Sequence, residues 1–338
     1  MLDENFNKTE ETPPILCHYE ISEEEKERRR VKRYSYTVGT AFIVMSFLVT
    51  VLNDGVIYIM RFFGLSDFKI SEIVNEPAIE QLLQIVLTVV LFTVPFIVIF
   101  KIFGFNISDI VSLKPCKKGL LLPFLLLGLG LCSFANIASS YLGEFVDSFG
   151  VNYEVDFGSV PKGVFGFALA FISTVITPAL FEEFACRGIV LGAGRKISPA
   201  FAVVASATVF GLMHANFEQI PFALFIGLVL GFVTLKSGSM WTAVLIHGIN
   251  NFVSLAFSTF LGKLSSNVQI VVYSAYLVLS LIGIIIAMAW LKDKEDIFSL
   301  DTEKTALPLK QKFKIFFLNP TVIIYAVICI IKSFKYFV

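Results

Sequence analysis

Four polar side chains set in apolar surroundings could share one piece of chemistry. Glu182 lies in Phe181-Glu182-Glu183-Phe184-Ala185-Cys186-Arg187, His214 closes Phe210-Gly211-Leu212-Met213-His214, and His247 and Asn251 stand four apart in His247-Gly248-Ile249-Asn250-Asn251. A carboxylate held beside an imidazole can take a proton from water and pass it to a leaving amine. A second imidazole and a carboxamide are donors that can stabilise a tetrahedral oxyanion. No serine or cysteine has an obvious partner base, so water is the expected nucleophile, and peptide hydrolysis suits the set. Cys186 lies four residues beyond Glu182 with nothing to mark it as activated.

The neighbours of Glu182 have a plainer explanation. An ionisable side chain deep in a bilayer costs roughly 2.5–3.5 kcal/mol on insertion scales, so three in six positions require a reason. At about 100° per residue, Glu183 and Arg187 are i,i+4 neighbours and can pair on one helix face, whereas Glu182 is turned away and left over. A lone histidine on an apolar helix is more often a packing residue than a catalyst. Two of them, together with a spare carboxylate and an asparagine, shift that balance if all lie at one depth. Phe210 shares a face with His214, as His247 does with Asn251.

The elements that must position these groups are membrane helices. The 338 residues are 56% hydrophobic with only 16% charged, against about 25% charged in a soluble domain. The expected fold is therefore an all-α, polytopic transmembrane helical bundle of about eight or nine spans, with the motifs on spans four, five and seven. The spans are expected near Tyr34–Met60, Gln81–Phe103, Gly119–Leu142, Val164–Leu191, Pro199–Met213, Pro221–Leu235, Met240–Leu261, Val268–Leu291 and Ile315–Ile331, the fifth and sixth being short. This divides the chain into a polar cytoplasmic tail at 1–33, N-terminal transmembrane helices at 34–163, a catalytic core at 164–262 and C-terminal transmembrane helices at 263–338. The charge run Glu23–Arg30 reads as a solvated tail or short surface helix. The polar, acidic stretch ahead of the first apolar run does not read as a cleavable signal peptide, so that span is expected to serve as the insertion signal. Lys and Arg alternate between loop sides in a way that places the N-terminus in the cytoplasm, and the C-terminus outside if all nine spans are real. Lys and Arg balance Asp and Glu at 27 each, which leaves no electrostatic case for nucleic acid. The five cysteines, Cys17, Cys116, Cys132, Cys186 and Cys329, read as apolar fillers. His18 lies in the tail and carries no argument.

Depth arithmetic lets the motifs meet. With a turn near Ile197, Glu182 lies ~22 Å and His214 ~25 Å from it; from a turn near Gly238 on the same side, His247 is ~14 Å and Asn251 ~20 Å away. Gly211, Gly227, Gly231 and Gly248 would let the helices approach closely. Pro178, four residues before Glu182, frees a backbone carbonyl and can kink the helix toward a wet cavity.

Taken in order, Glu-Glu-x-x-x-Arg at Glu182–Arg187, Phe-x-x-x-His at Phe210–His214 and His-x-x-x-Asn at His247–Asn251 resemble the three motifs of the CPBP family. That family comprises the CAAX prenyl endopeptidases of the Ras-converting type and the bacterial Abi and bacteriocin-immunity proteins. Arg187-Gly188 and Phe210-Gly211-Leu212 also read like it, and the resemblance spans roughly Val164 to Phe252. It implies an α-helical intramembrane endopeptidase of an eight-helix type, in which Glu182 with His214 would activate water and His247 with Asn251 would hold the oxyanion. Glu183 and Arg187 would be a structural pair, with Phe210 supporting the site. The family is often labelled metalloprotease, although a metal-free, glutamate-dependent mechanism is also argued for it. Glu182, His214 and His247 could ligate zinc or another divalent ion, but no His-Glu-x-x-His is present. The expected partners are the lipid bilayer and a membrane-associated peptide or protein, such as a pheromone, bacteriocin or signalling protein, at a bacterial plasma membrane. Two other readings stay open: a bacteriocin-immunity or binding protein that captures without cutting, and a transporter or proton relay, which would call for internal hydropathy repeats that are not evident.

Overall fold

The computed structural model describes residues 21–148, 160–300 and 305–334, and every regular element among them is helical. His18, Cys17, Glu154 and Asp156 lie outside the described residues. In hydrocarbon every backbone N–H and C=O must be satisfied within the chain, which leaves helices as the form for these apolar runs. In chain order they are α1 (Glu23–Phe62), α2 (Asp67–Val74), α3 (Pro77–Ile102), α4 (Ile107–Ile110), α5 (Leu121–Asp147), α6 (Gly163–Gly194), α7 (Pro199–Leu212), α8 (Gln219–Ser237), α9 (Met240–Phe260), α10 (Ser266–Leu291), α11 (Leu309–Phe317) and α12 (Pro320–Ser333).

Seven of these, α1, α3, α5, α6, α8, α9 and α10, are long and apolar enough to cross a bilayer, and α11 with α12 make an eighth candidate bent by 60°. This makes the chain a multi-pass integral membrane protein with seven candidate spans, or eight with the bent pair, and two of the nine expected runs differ from a simple span. The fifth expected span, α7, has only 14 residues. At 1.5 Å per residue it reaches ~21 Å, well short of a ~30 Å hydrocarbon core. It is packed inside the bundle, with Phe201, Ala205, Val209 and Phe210 buried. The ninth, expected as a straight run over Ile315–Ile331, breaks at Leu318-Asn319: Pro320 cannot continue α11, and the Asn319 side chain caps the N-terminus of α12 by accepting from Thr321 N.

Two packed cores meet at the motif helices. One gathers Tyr34, Phe42, Phe96, Ile189, Phe201 and Tyr325 from α1, α3, α6, α7 and α12; the other gathers Phe124, Leu230, Ile246 and Leu291 from α5, α8, α9 and α10. Lipid tails are as apolar as these side chains, so close fit rather than exclusion of water holds them together. At Gly227 a Cβ would come 2.9 Å from Ala207 Cα on the facing α7, and the site below depends on that approach. Gly227→Val is expected to force α7 and α8 apart at a cost of about 1–3 kcal/mol, read as a lower melting temperature in detergent.

The charged run at the start of α1 is less solvated than its composition suggests. It continues as helix into the first span, and Glu27 is buried, bonded to Lys312 Nζ at 2.8 Å and to Leu307 N at 2.8 Å. Arg28 adds a contact to Gln311 at 3.1 Å, so the head of α1 is fastened to α11. Lys312→Met alone is expected to cost about 3–5 kcal/mol, because Glu27 is left as a buried unpaired charge. The pair Glu27→Leu with Lys312→Met is expected to recover most of it, as measured by thermal unfolding.

Candidate active site

Helix α6 is not regular around the first motif. It runs as π-helix over Ile172–Ile176 and again over Phe184–Val190, on either side of the turn that carries Glu182 and Glu183. Such insertions widen the helix and re-aim side chains, and they recur at functional sites. Pro178 lies between them. It has no N–H to give the Thr174 carbonyl four residues earlier, and Asn251 Nδ2 on α9 donates to that carbonyl at 3.1 Å. Asn251 therefore repairs the α6 backbone with one N–H and keeps a second.

Glu183 is the fixed centre of the cluster. Its side chain is completely buried, and its Oε1 accepts from Arg187 Nη1 at 2.9 Å and from His247 Nδ1 at 2.8 Å. Arg187 Nη2 donates to the Gly227 carbonyl of α8 at 3.3 Å, and the guanidinium carbon lies 4.1 Å from the centre of the Phe210 ring. One ion pair thus ties α6, α7, α8 and α9 together, with a cation–π contact as its fourth side. Glu183 Oε2 and Arg187 Nε have no hydrogen-bond partner among the described residues.

The two imidazoles are held in the same way. A carboxylate oxygen and a backbone carbonyl can only accept, so His247 Nδ1 donates to Glu183 and His214 Nδ1 donates to the Phe210 carbonyl at 3.0 Å. Both rings keep Nε2 for other work. Phe210 separates them, its ring centre 5.4 Å from that of His214 and 6.0 Å from that of His247. Glu182 interacts electrostatically with His247, Glu183 and Arg187, and His214 interacts with His247.

Two residues escaped the motif reading. Asn250 is buried beside Asn251, accepts from Asn136 Nδ2 of α5 at 3.0 Å, and donates to Asn251 Oδ1 at 3.5 Å. Its only signal in the sequence is that it doubles the motif asparagine. Asn136 comes from a helix far away in the chain, and no spacing rule could have linked them. Glu182, His214 and His247 do not fit a metal centre: zinc takes at least three protein ligands at about 2.0–2.3 Å, and among the described residues no three His, Cys, Asp or Glu side chains are grouped closely enough to hold an ion.

If Asn251 serves the Thr174 carbonyl as well as the site, Asn251→Ala is expected to lower stability by about 1–3 kcal/mol by orphaning that carbonyl. Adding Pro178→Ala, which supplies an N–H, is expected to restore melting temperature without restoring activity.

Searches among curated proteins and among solved structures gave no match. A family model does match: residues 164–253 fit the one described as type II CAAX prenyl endopeptidase Rce1-like, a family of peptidases. The match runs from the start of α6 to just past Asn251, over the same helices that build the Glu183 cluster. Residues 164–253 are accordingly an Rce1-like domain, of the CPBP kind that the three motifs resemble.

Proposed function

We propose that this protein is an intramembrane endopeptidase that hydrolyses a peptide bond of a membrane-associated substrate with water activated by Glu182. Its N-terminus is in the cytoplasm, and residues 164–262 are the catalytic part. Glu182 takes the proton from water. Glu182 then returns that proton to the leaving amine, so the proton taken from water ends on the product and the carboxylate is restored. Glu183 orients His247 and keeps its Nε2 available. With its Nδ1 proton given to the Phe210 carbonyl, His214 keeps Nε2 as an acceptor that orients the attacking water beside Glu182, and the remaining N–H of Asn251 is offered to the oxygen of the reacting carbonyl.

The observation that carries this reading is the double acceptance at Glu183 Oε1, which binds the first motif's arginine and the third motif's histidine to one atom. A structural ion pair needs only Arg187; orienting an imidazole as well is what a catalytic site requires. Beside it an apolar cleft of about 410 Å³ runs between α6 and α9, lined by Ile176, Ala179, Leu180, Leu245, Gly248 and Phe252, and open where Ile176, Leu245 and Phe252 are exposed. A substrate segment already in the bilayer can lie there without crossing water.

His214→Ala tests the reading in cells. Membrane peptides from strains carrying wild type or His214→Ala, compared at equal protein abundance, are expected to differ by fragments present only with wild type. Identical peptide profiles would favour capture without cleavage.

A further inference from the structure

We propose that a second site, at the end of the bundle away from the apolar cleft, binds the phosphate of an anionic phospholipid. Three cations from three separate elements meet there: Lys117 before α5, Arg195 after α6 and Lys236 in the last turn of α8. They line a cleft of about 330 Å³ whose remaining walls are Pro199, Leu235 and Leu300. Among the described residues none of the three is ion-paired. Arg195 makes one long bond, Nη2 to the Ile110 carbonyl at 3.4 Å, and Lys236 Nζ donates to the Asp296 carbonyl at 2.6 Å. Both acceptors are neutral backbone oxygens, so among the described residues the three like charges share one cleft with no carboxylate paired to any of them. An anion placed between them removes their mutual repulsion. Helix α7, 14 residues long, starts at Pro199 in the same wall and turns its positive end that way.

The depth of the cleft selects the source of the phosphate. Helix α8 has 19 residues, ~28 Å of rise, so its last turn lies at the edge of the hydrocarbon. The chain has only two tryptophans, and both sit at this same end, Trp241 opening α9 and Trp290 closing α10, each exposed. Trp at both positions marks the headgroup layer. A cationic cleft with leucine walls at headgroup depth suits a lipid phosphate with its glycerol and first methylenes, and basic pockets between membrane helices bind such headgroups. Simple loop charge does not explain it: Lys114, Lys118 and Lys196 are exposed neighbours that do not line this cleft.

The test is native mass spectrometry of the full chain released from nanodiscs of equal phosphatidylcholine and phosphatidylglycerol. Wild type is expected to retain phosphatidylglycerol over phosphatidylcholine. The triple change Lys117→Gln, Arg195→Gln, Lys236→Gln is expected to cut that retention at least about tenfold, whereas Lys114→Gln, Lys118→Gln, Lys196→Gln is expected to leave it unchanged. Equal retention of the two lipids by wild type, or equal loss in both triple variants, would overturn the proposal. The wild-type comparison stands even if the cleft variant fails to fold. Melting temperature provides the second arm. A rise with phosphatidylglycerol but not with inorganic phosphate or glycerol phosphate is expected; an equal rise with the soluble phosphates would overturn the lipid assignment.

Discussion

Arg187→Ala is expected to remove about 3–5 kcal/mol of stability, enough to empty the membrane of most folded protein. Glu183 has no access to solvent, and its charge is balanced by Arg187 at 2.9 Å and met by the N–H of the His247 ring at 2.8 Å. Deleting the guanidinium leaves a carboxylate in low dielectric, strips the Phe210 ring of its cation and frees the Gly227 carbonyl. Four helices lose their common fastening at once. The measurement is protein abundance in membranes together with the melting temperature in detergent. Wild-type values for both would refute the pairing as a structural element. A paired change, Arg187→Met with Glu183→Gln, removes both charges and is expected to recover much of the stability, because a buried pair is worth far less than the cost of breaking it. It is not expected to recover activity, since a carboxamide gives His247 a weaker orienting partner.

Glu182→Gln is expected to do the reverse: abundance is unchanged, and cleavage falls by at least about 10²–10⁴-fold, the range for loss of a general base. The substitution keeps shape and volume. It also takes a carboxylate out of a cluster that already holds Glu183, so no stability is lost with it. Capture of a partner needs no base and would survive the change, as would packing. A variant that cuts at the wild-type rate would remove Glu182 from the mechanism.

Much of the candidate site was legible because the relevant rules are local. The i,i+4 spacing gave the Glu183–Arg187 bond, the missing N–H of Pro178 marked a free carbonyl at Thr174, and three ordered motifs on separate apolar segments gave the helices that come together. What the sequence hid is long-range. Nothing in spacing says that His247 bonds to Glu183, that Asn251 fills the carbonyl Pro178 leaves open, or that Asn136 reaches Asn250 from α5. The two π segments of α6 are likewise products of packing, since they carry no residue pattern of their own. In the fold, hydropathy found each apolar run but could not separate a span from a buried helix. The α7 segment is as apolar as its neighbours, yet it is too short to cross and most of its residues are buried against other helices. The bend before α12 was written in Asn319-Pro320, a capping residue followed by a helix-starting proline, but hydropathy alone reads through it.

The most direct test follows the oxygen of water. Purified full-length protein, reconstituted with a membrane extract as substrate source, is incubated in water enriched in oxygen-18, and new peptide C-termini are read by mass spectrometry. Wild type is expected to generate fragments whose new C-terminal carboxyl carries the label, and Glu182→Gln, at the same abundance, none of them. Labelled fragments that appear equally with the variant, or no labelled fragments with wild type, would contradict hydrolysis by Glu182-activated water.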